Sequence, residues 1–151
     1  MVTIERISGE AYDLAGPLVT RLLSELREGG DDSGPQDTQR IKRAWQETKN
    51  TVTLIARSDN GEAIGVATVV ENFAIYADGH YGVINELYVV PEYRSQRVGE
   101  MLLEAIRDLG KERNWKRIDV TAPGGDKWER TRAFYERHGY VFTGPKLKLV
   151  L

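Results

Sequence analysis

From Gly82 to Val90 the chain reads GVINELYVV, a run rich in β-branched and aromatic residues that stops at Pro91. A helix opens a few residues later in RSQRVGEMLLEAIRDLGKERN, where Val98, Leu102, Ile106 and Leu109 fall at helical spacing. Strand, short loop and helix in direct succession demand a sheet onto which that helix can fold back, which confines the chain to α/β architectures. The same loop makes an anion site. Successive backbone N–H groups and the positive end of the helix can face a phosphate, and Gly99 carries no side chain to block close approach. A pyrophosphate would fit there, with Arg94 and Arg97 adding charge, although each could equally be a solvated surface arginine.

The flanking sequence supplies the rest of such a sheet. VTIERI, residues 2–7, alternates as a first strand, and Leu14, Leu18, Leu22 and Leu26 recur every fourth position in a helix whose first turns hold Pro17. Arg27 to Asp37 is loop chemistry, and Ile41, Ala44, Trp45 and Thr48 share one face of a second helix. TVTLIAR and AIGVATVV read as two strands of a hairpin turned at Asn60-Gly61. KRIDVTA is a further strand, DKWERTRAFYERHG a helix ended at His138-Gly139, and YVFTG and LKLVL two final strands. The expected order is βααβββαβαββ in one domain, residues 1–151. It describes an α/β fold with a mixed, mostly antiparallel sheet flanked by helices on both faces.

Charge and composition exclude several functions. With 21 basic and 23 acidic residues the net charge is -2, so no global positive field favours nucleic acid, even with the basic run KERNWKR at Lys111 to Arg117. No apolar run approaches the roughly 20 residues of a spanning helix, and MVTIERISGE lacks a signal-peptide pattern. A cytoplasmic protein with no membrane partner is expected. There is no cysteine and only two histidines, so any sulfur chemistry must come from a ligand and no metal site is expected.

Two segments together resemble the GNAT superfamily of N-acetyltransferases. RSQRVG, Arg94 to Gly99, is similar to its acyl-CoA loop, Arg/Gln-x-x-Gly-x-Gly/Ala, with Arg97 standing where the family usually has its first glycine. WERTRAFYERHGYVF is similar to its Asn-x-x-Ala-x-x-Phe-Tyr-Glu-x-x-Gly-Phe helix and strand, with Trp128 in place of Asn and Thr131 in place of Ala. The resemblance implies acetyl-CoA as cosubstrate, an amine as acceptor and direct attack in a ternary complex. It implies that Arg94, Ser95, Gln96, Arg97, Val98, Gly99 and Glu100 hold the cofactor, and that the backbone of Leu87, Tyr88 and Val89 receives the pantetheine arm and the thioester carbonyl. Trp128 would either stack on the CoA arm or lie in the core.

Glu86, just before the loop and flanked by Ile84, Leu87 and Val89, can accept the amine proton directly or through water, and the family often has a Glu there. An outward-facing or arginine-paired glutamate is the alternative. Tyr135 matches the family tyrosine near the thioester sulfur and would protonate the departing thiolate, or else pack in the core beside Phe134. His80, read as a loop residue, and His138, at a helix C-terminus, are not chosen as bases. The acids Glu25, Glu28, Asp31, Asp32 and Asp37 would attract a cationic acceptor, or simply decorate a solvated loop. A catalytically silent CoA-binding regulatory module is the rival function. The final strands could pair edges in a homodimer.

Overall fold

The computed structural model describes residues 1–8, 11–28, 37–122 and 125–151, and its chain divides into two compact units, Met1–Asp119 and Val120–Leu151. In the first, β1 (Thr3–Ile7), β2 (Thr51–Arg57), β3 (Ala63–Ala74) and β4 (Gly79–Val89) pair antiparallel in that order, and β5 (Ile118–Val120) is the fifth strand of the sheet. The β2–β3 turn follows its sequence: Gly61, at φ 80, takes the left-handed position and donates to the Ser58 carbonyl at 2.9 Å. The β3–β4 hairpin runs further than the apolar pattern indicated, adding the pairs Glu71–Gly82, Asn72–Tyr81, Phe73–His80 and Ala74–Gly79, whose residues are mostly polar, aromatic or glycine.

Helices α1 (Ala11–Glu28) and α3 (Val98–Glu112) pack on the sheet and α2 (Thr38–Glu47) follows α1. The α3 stripe is as its spacing indicated, with Val98, Leu102, Ile106 and Leu109 all buried. A Cβ on Gly65 would meet Val98, whereas Thr68, three residues on, opens toward α1; by strand alternation the two helices lie on opposite faces. Gly82 answers to a close approach, since a Cβ there would enter the Trp115 ring. That indole, 8 % exposed, donates its N–H to Glu71 at 2.6 Å. In α1 the buried residues are Ala11, Ala15 and Leu18, and Pro17 sits at the seventh helical position, within the first two turns.

The second unit holds α4 (Glu129–Arg137), preceded by a 3-10 turn at Asp126–Trp128. Its end is the one expected from His138-Gly139: Gly139, at φ 93, donates to Glu136, and the Tyr140 N–H reaches the Tyr135 carbonyl at 3.1 Å. The two final strands are not formed. Residues 140–151 carry no strand, and Val141, Phe142, Leu147, Leu149 and Val150 are all exposed. Alternating sequence makes a strand only where a neighbouring strand takes its backbone bonds, and this segment has none.

Candidate active site

A β-bulge in β4 builds the site. Thr68 pairs with Glu86 but Val69 pairs with Ile84, so Asn85 is the extra residue and both it and Glu86 oppose Thr68. Their side chains consequently share one face, where both line a cleft. The Thr68 side chain, 2 % exposed, fixes Glu86: its hydroxyl accepts the Glu86 N–H at 3.1 Å and donates to the carboxylate.

The bulge also sets which amides are spent. Val90 N–H donates to the Ile64 carbonyl at 2.9 Å, so alternation turns the Tyr88 N–H toward β3 and the Leu87 and Val89 N–H groups toward the other edge. Of the three strand residues expected to supply an oxyanion donor, Tyr88 is therefore committed to the ladder, and Leu87 and Val89 are the ones facing away from β3.

The cleft, about 390 Å³, lies between the sheet and α1 and α2. Its floor is Thr51, Thr68, Asn85 and Glu86, and its walls include Tyr12, Leu23, Ile41 and Trp45. Tyr12 and Trp45 meet edge to face at 5.8 Å, and Lys42 bonds Asp13 at 3.1 Å, tying α2 to α1. Beyond Asn85 the same sheet face carries Asn72 and Tyr81, 3.1 Å apart, with Tyr76 hydrogen-bonded to Tyr81 at 3.0 Å and the Arg117 guanidinium 4.9 Å above the Tyr76 ring. That Tyr81 bond, with burial behind it, raises the Tyr76 phenol.

At the end of β4 the chain makes a 3-10 turn, Pro91–Gln96, before α3. Arg97, the α3 N-cap, is at φ 62 and ψ 20, the left-handed region, not the ordinary helical conformation available to arginine. This is why glycine suits the position. The Arg97 side chain turns outward, 77 % exposed, and makes two bonds to Glu100 at 2.7 and 2.8 Å. The first α3 bond runs from Met101 N–H to the Arg97 carbonyl at 3.1 Å, and no side chain caps the end, so the Val98 and Gly99 amides have no acceptor within the helix. Arg94 is occupied otherwise than expected: its Nε donates to the Val89 carbonyl at 2.9 Å and its Nη2 to both Glu25 oxygens at 2.9 Å. Its guanidinium also lies 5.3 Å from the Tyr88 ring, whose phenol is raised mainly by burial and further by the Glu25 charge. Ser95 and Gln96 are exposed in the 3-10 turn.

In the second unit Tyr135 is 7 % exposed and meets Phe134 at 5.3 Å and Tyr140 at 5.5 Å, both edge to face. Burial, then the neighbouring Tyr140, pushes its phenol well above the usual range. Trp128 is half-buried at the head of α4. His138 bonds the Phe134 carbonyl at 2.8 Å, and His80 lies on β4 against Phe73, not in a loop. Of the acidic group, the described members Glu25, Glu28 and Asp37 do not line the cleft: Glu25 holds Arg94 and Asp37 caps α2 by accepting the Arg40 N–H at 3.0 Å, while Asp31 and Asp32 fall outside the described residues. Thr68, Asn85 and Trp45 were missed as site residues. Only the Trp45 stripe left a local sequence signal, since the other two are brought to the site by strand register.

A model of the Acetyltransferase (GNAT) family matches residues 19–140. The uncharacterized N-acetyltransferase YhfO of Bacillus subtilis is 27% identical over 82% of this chain and 79% of its own length. Among solved structures, a ribosomal-protein-alanine N-acetyltransferase from Brucella melitensis biovar Abortus superimposes with a TM-score of 0.79 at 19% identity, covering 99% of both chains. An aminoglycoside acetyltransferase from an uncultured soil metagenomic sample also gives 0.79 at 19% identity, covering 100% of this chain and 99% of its own. The family match spans most of the sequence and the described sheet and helices agree with it: this chain is an acetyltransferase of the GNAT family.

Proposed function

We propose that the chain transfers an acetyl group from acetyl-CoA to a primary amine by direct attack in a ternary complex, with Glu86 as the base. The observation that carries this reading is the anchored carboxylate at the cleft floor, held by Thr68. An amine enters mostly as an ammonium at neutral pH and must lose a proton before it can attack; Glu86 accepts that proton, directly or through one water.

The α3 end fits a pyrophosphate: the Val98 and Gly99 amides have no intrahelical acceptor, and the helix end is uncapped. Glu100, the acid of that first turn, has its charge offset by Arg97. When bound, CoA supplies an activated thioester carbonyl and a good leaving thiolate. The Leu87 and Val89 N–H groups are the donors for its pantetheine arm and for charge developing on the carbonyl oxygen. Tyr135, so firmly protonated, would serve a thiolate as a hydrogen-bond donor rather than as a proton source.

Incubating the protein with acetyl-CoA and a panel of amines tests the reading, following free thiol and product mass together. Thiol release that depends on the amine and yields an acetylated amine is the expected result. Thiol release by hydrolysis alone, or none with any amine, rejects it.

A further inference from the structure

The α2 helix has an apolar stripe, Ile41, Ala44, Trp45 and Thr48, yet none of its residues is buried. Such a stripe normally meets the core; here it borders the cleft over Glu86 instead. The cleft is at the small end of ligand pockets, roughly 300 to 1,000 Å³. Among the described residues that line it, Glu86 is the one carboxylate. Of the acids on the described elements around it, Asp37 caps α2, Asp13 bonds Lys42 and Glu25 bonds Arg94.

From this we infer the acceptor class: a small molecule with a single primary amine on a compact apolar or aromatic body, the body against Trp45 and the amine at Glu86. The inference rests on the acetyl-transfer reading and narrows it. A polyamine or a polycationic sugar would bring further ammonium groups against Ile41, Leu23 and Trp45, where they would lose hydration and meet no second carboxylate among the described lining residues. An aromatic body gains instead from the indole face and from displacing water along the stripe. Asn85, brought onto this face by the bulge, and Thr51 offer the few polar contacts that would orient the amine.

Titration calorimetry with phenethylamine and spermidine, with and without CoA, decides the matter when run beside the thiol-release assay. Phenethylamine is expected to bind about tenfold or more tightly than spermidine. Trp45→Ala should weaken phenethylamine roughly tenfold. Ala44→Trp, at an exposed position on the same stripe, should block it by filling the cleft without disturbing the core. Spermidine binding as tightly as phenethylamine, no phenethylamine binding, or phenethylamine binding unchanged in a folded Ala44→Trp variant overturns the inference. Phenethylamine that binds in a Trp45-dependent way but never gives acetylated product supports the acceptor cleft and rejects acetyl transfer, so the two failures are separable.

Discussion

Thr68 and Glu86 stand opposite each other on β3 and β4, and one hydroxyl serves both the amide and the carboxylate of the glutamate. Removing it leaves a buried strand N–H without an acceptor and a carboxylate without its anchor. Thr68→Val is expected to cost about 1 to 3 kcal/mol in denaturant unfolding. It should also lower turnover with CoA affinity unchanged. Thr68→Ser, which keeps the hydroxyl, should recover most of the turnover; failure of that rescue would break the link between anchor and activity.

The α3 N-terminus gives a second expectation. Gly99→Asp places a carboxylate where the helix end would meet phosphate, so CoA affinity should fall sharply in calorimetry while circular dichroism is unchanged. Undiminished affinity in a folded variant removes the loop from the cofactor site.

Arg97 tests the backbone argument. Both Arg97→Gly and Arg97→Ala lose the bonds to Glu100, but only glycine is at ease at φ 62. The glycine variant should be the more stable of the two by roughly 1 to 2 kcal/mol in chemical denaturation. Equal stabilities would contradict the left-handed conformation.

Those three positions mark what the sequence could disclose. Val98, Leu102, Ile106 and Leu109 announced α3, and Gly61 and Gly139 announced two chain reversals, because each signal is local. Glu86 stood out from its place before the loop, and its position on the cleft floor agrees with that, while its role as base is the proposal. The bulge at Asn85 and the Thr68 anchor were not, since both depend on which residue of another strand lies opposite. Acids tell the same story: Glu25 and Asp37 read as an acidic patch, yet one is spent on an arginine and the other on a helix cap. LKLVL alternates like a strand but lacks a pairing neighbour, and alternation alone does not supply one.

Tyr135→Phe separates the role of the hydroxyl from packing, because it retains the ring against Phe134 and Tyr140. Turnover should fall roughly tenfold or more while stability at neutral pH changes little. Burial raises this phenol, so ionisation favours the unfolded chain. The stabilising contribution is present below the unfolded value of about 10 and is lost as pH climbs from there toward the folded value. Stability of the Phe variant should therefore decline less steeply above about pH 10, with a residual decline from the buried Tyr88. Identical alkaline profiles in the two proteins would contradict the burial argument, and wild-type turnover would reassign Tyr135 to the core.

The central claim, that Glu86 takes a proton from the acceptor amine, is tested most directly by the pH dependence of turnover in Glu86→Gln at saturating acetyl-CoA. The variant should bind CoA normally and lose about 10²-fold in turnover or more, with the deficit greatest at low pH and shrinking as the amine deprotonates in solution. A pH–rate profile parallel to that of the wild-type protein, at undiminished rate, would contradict it.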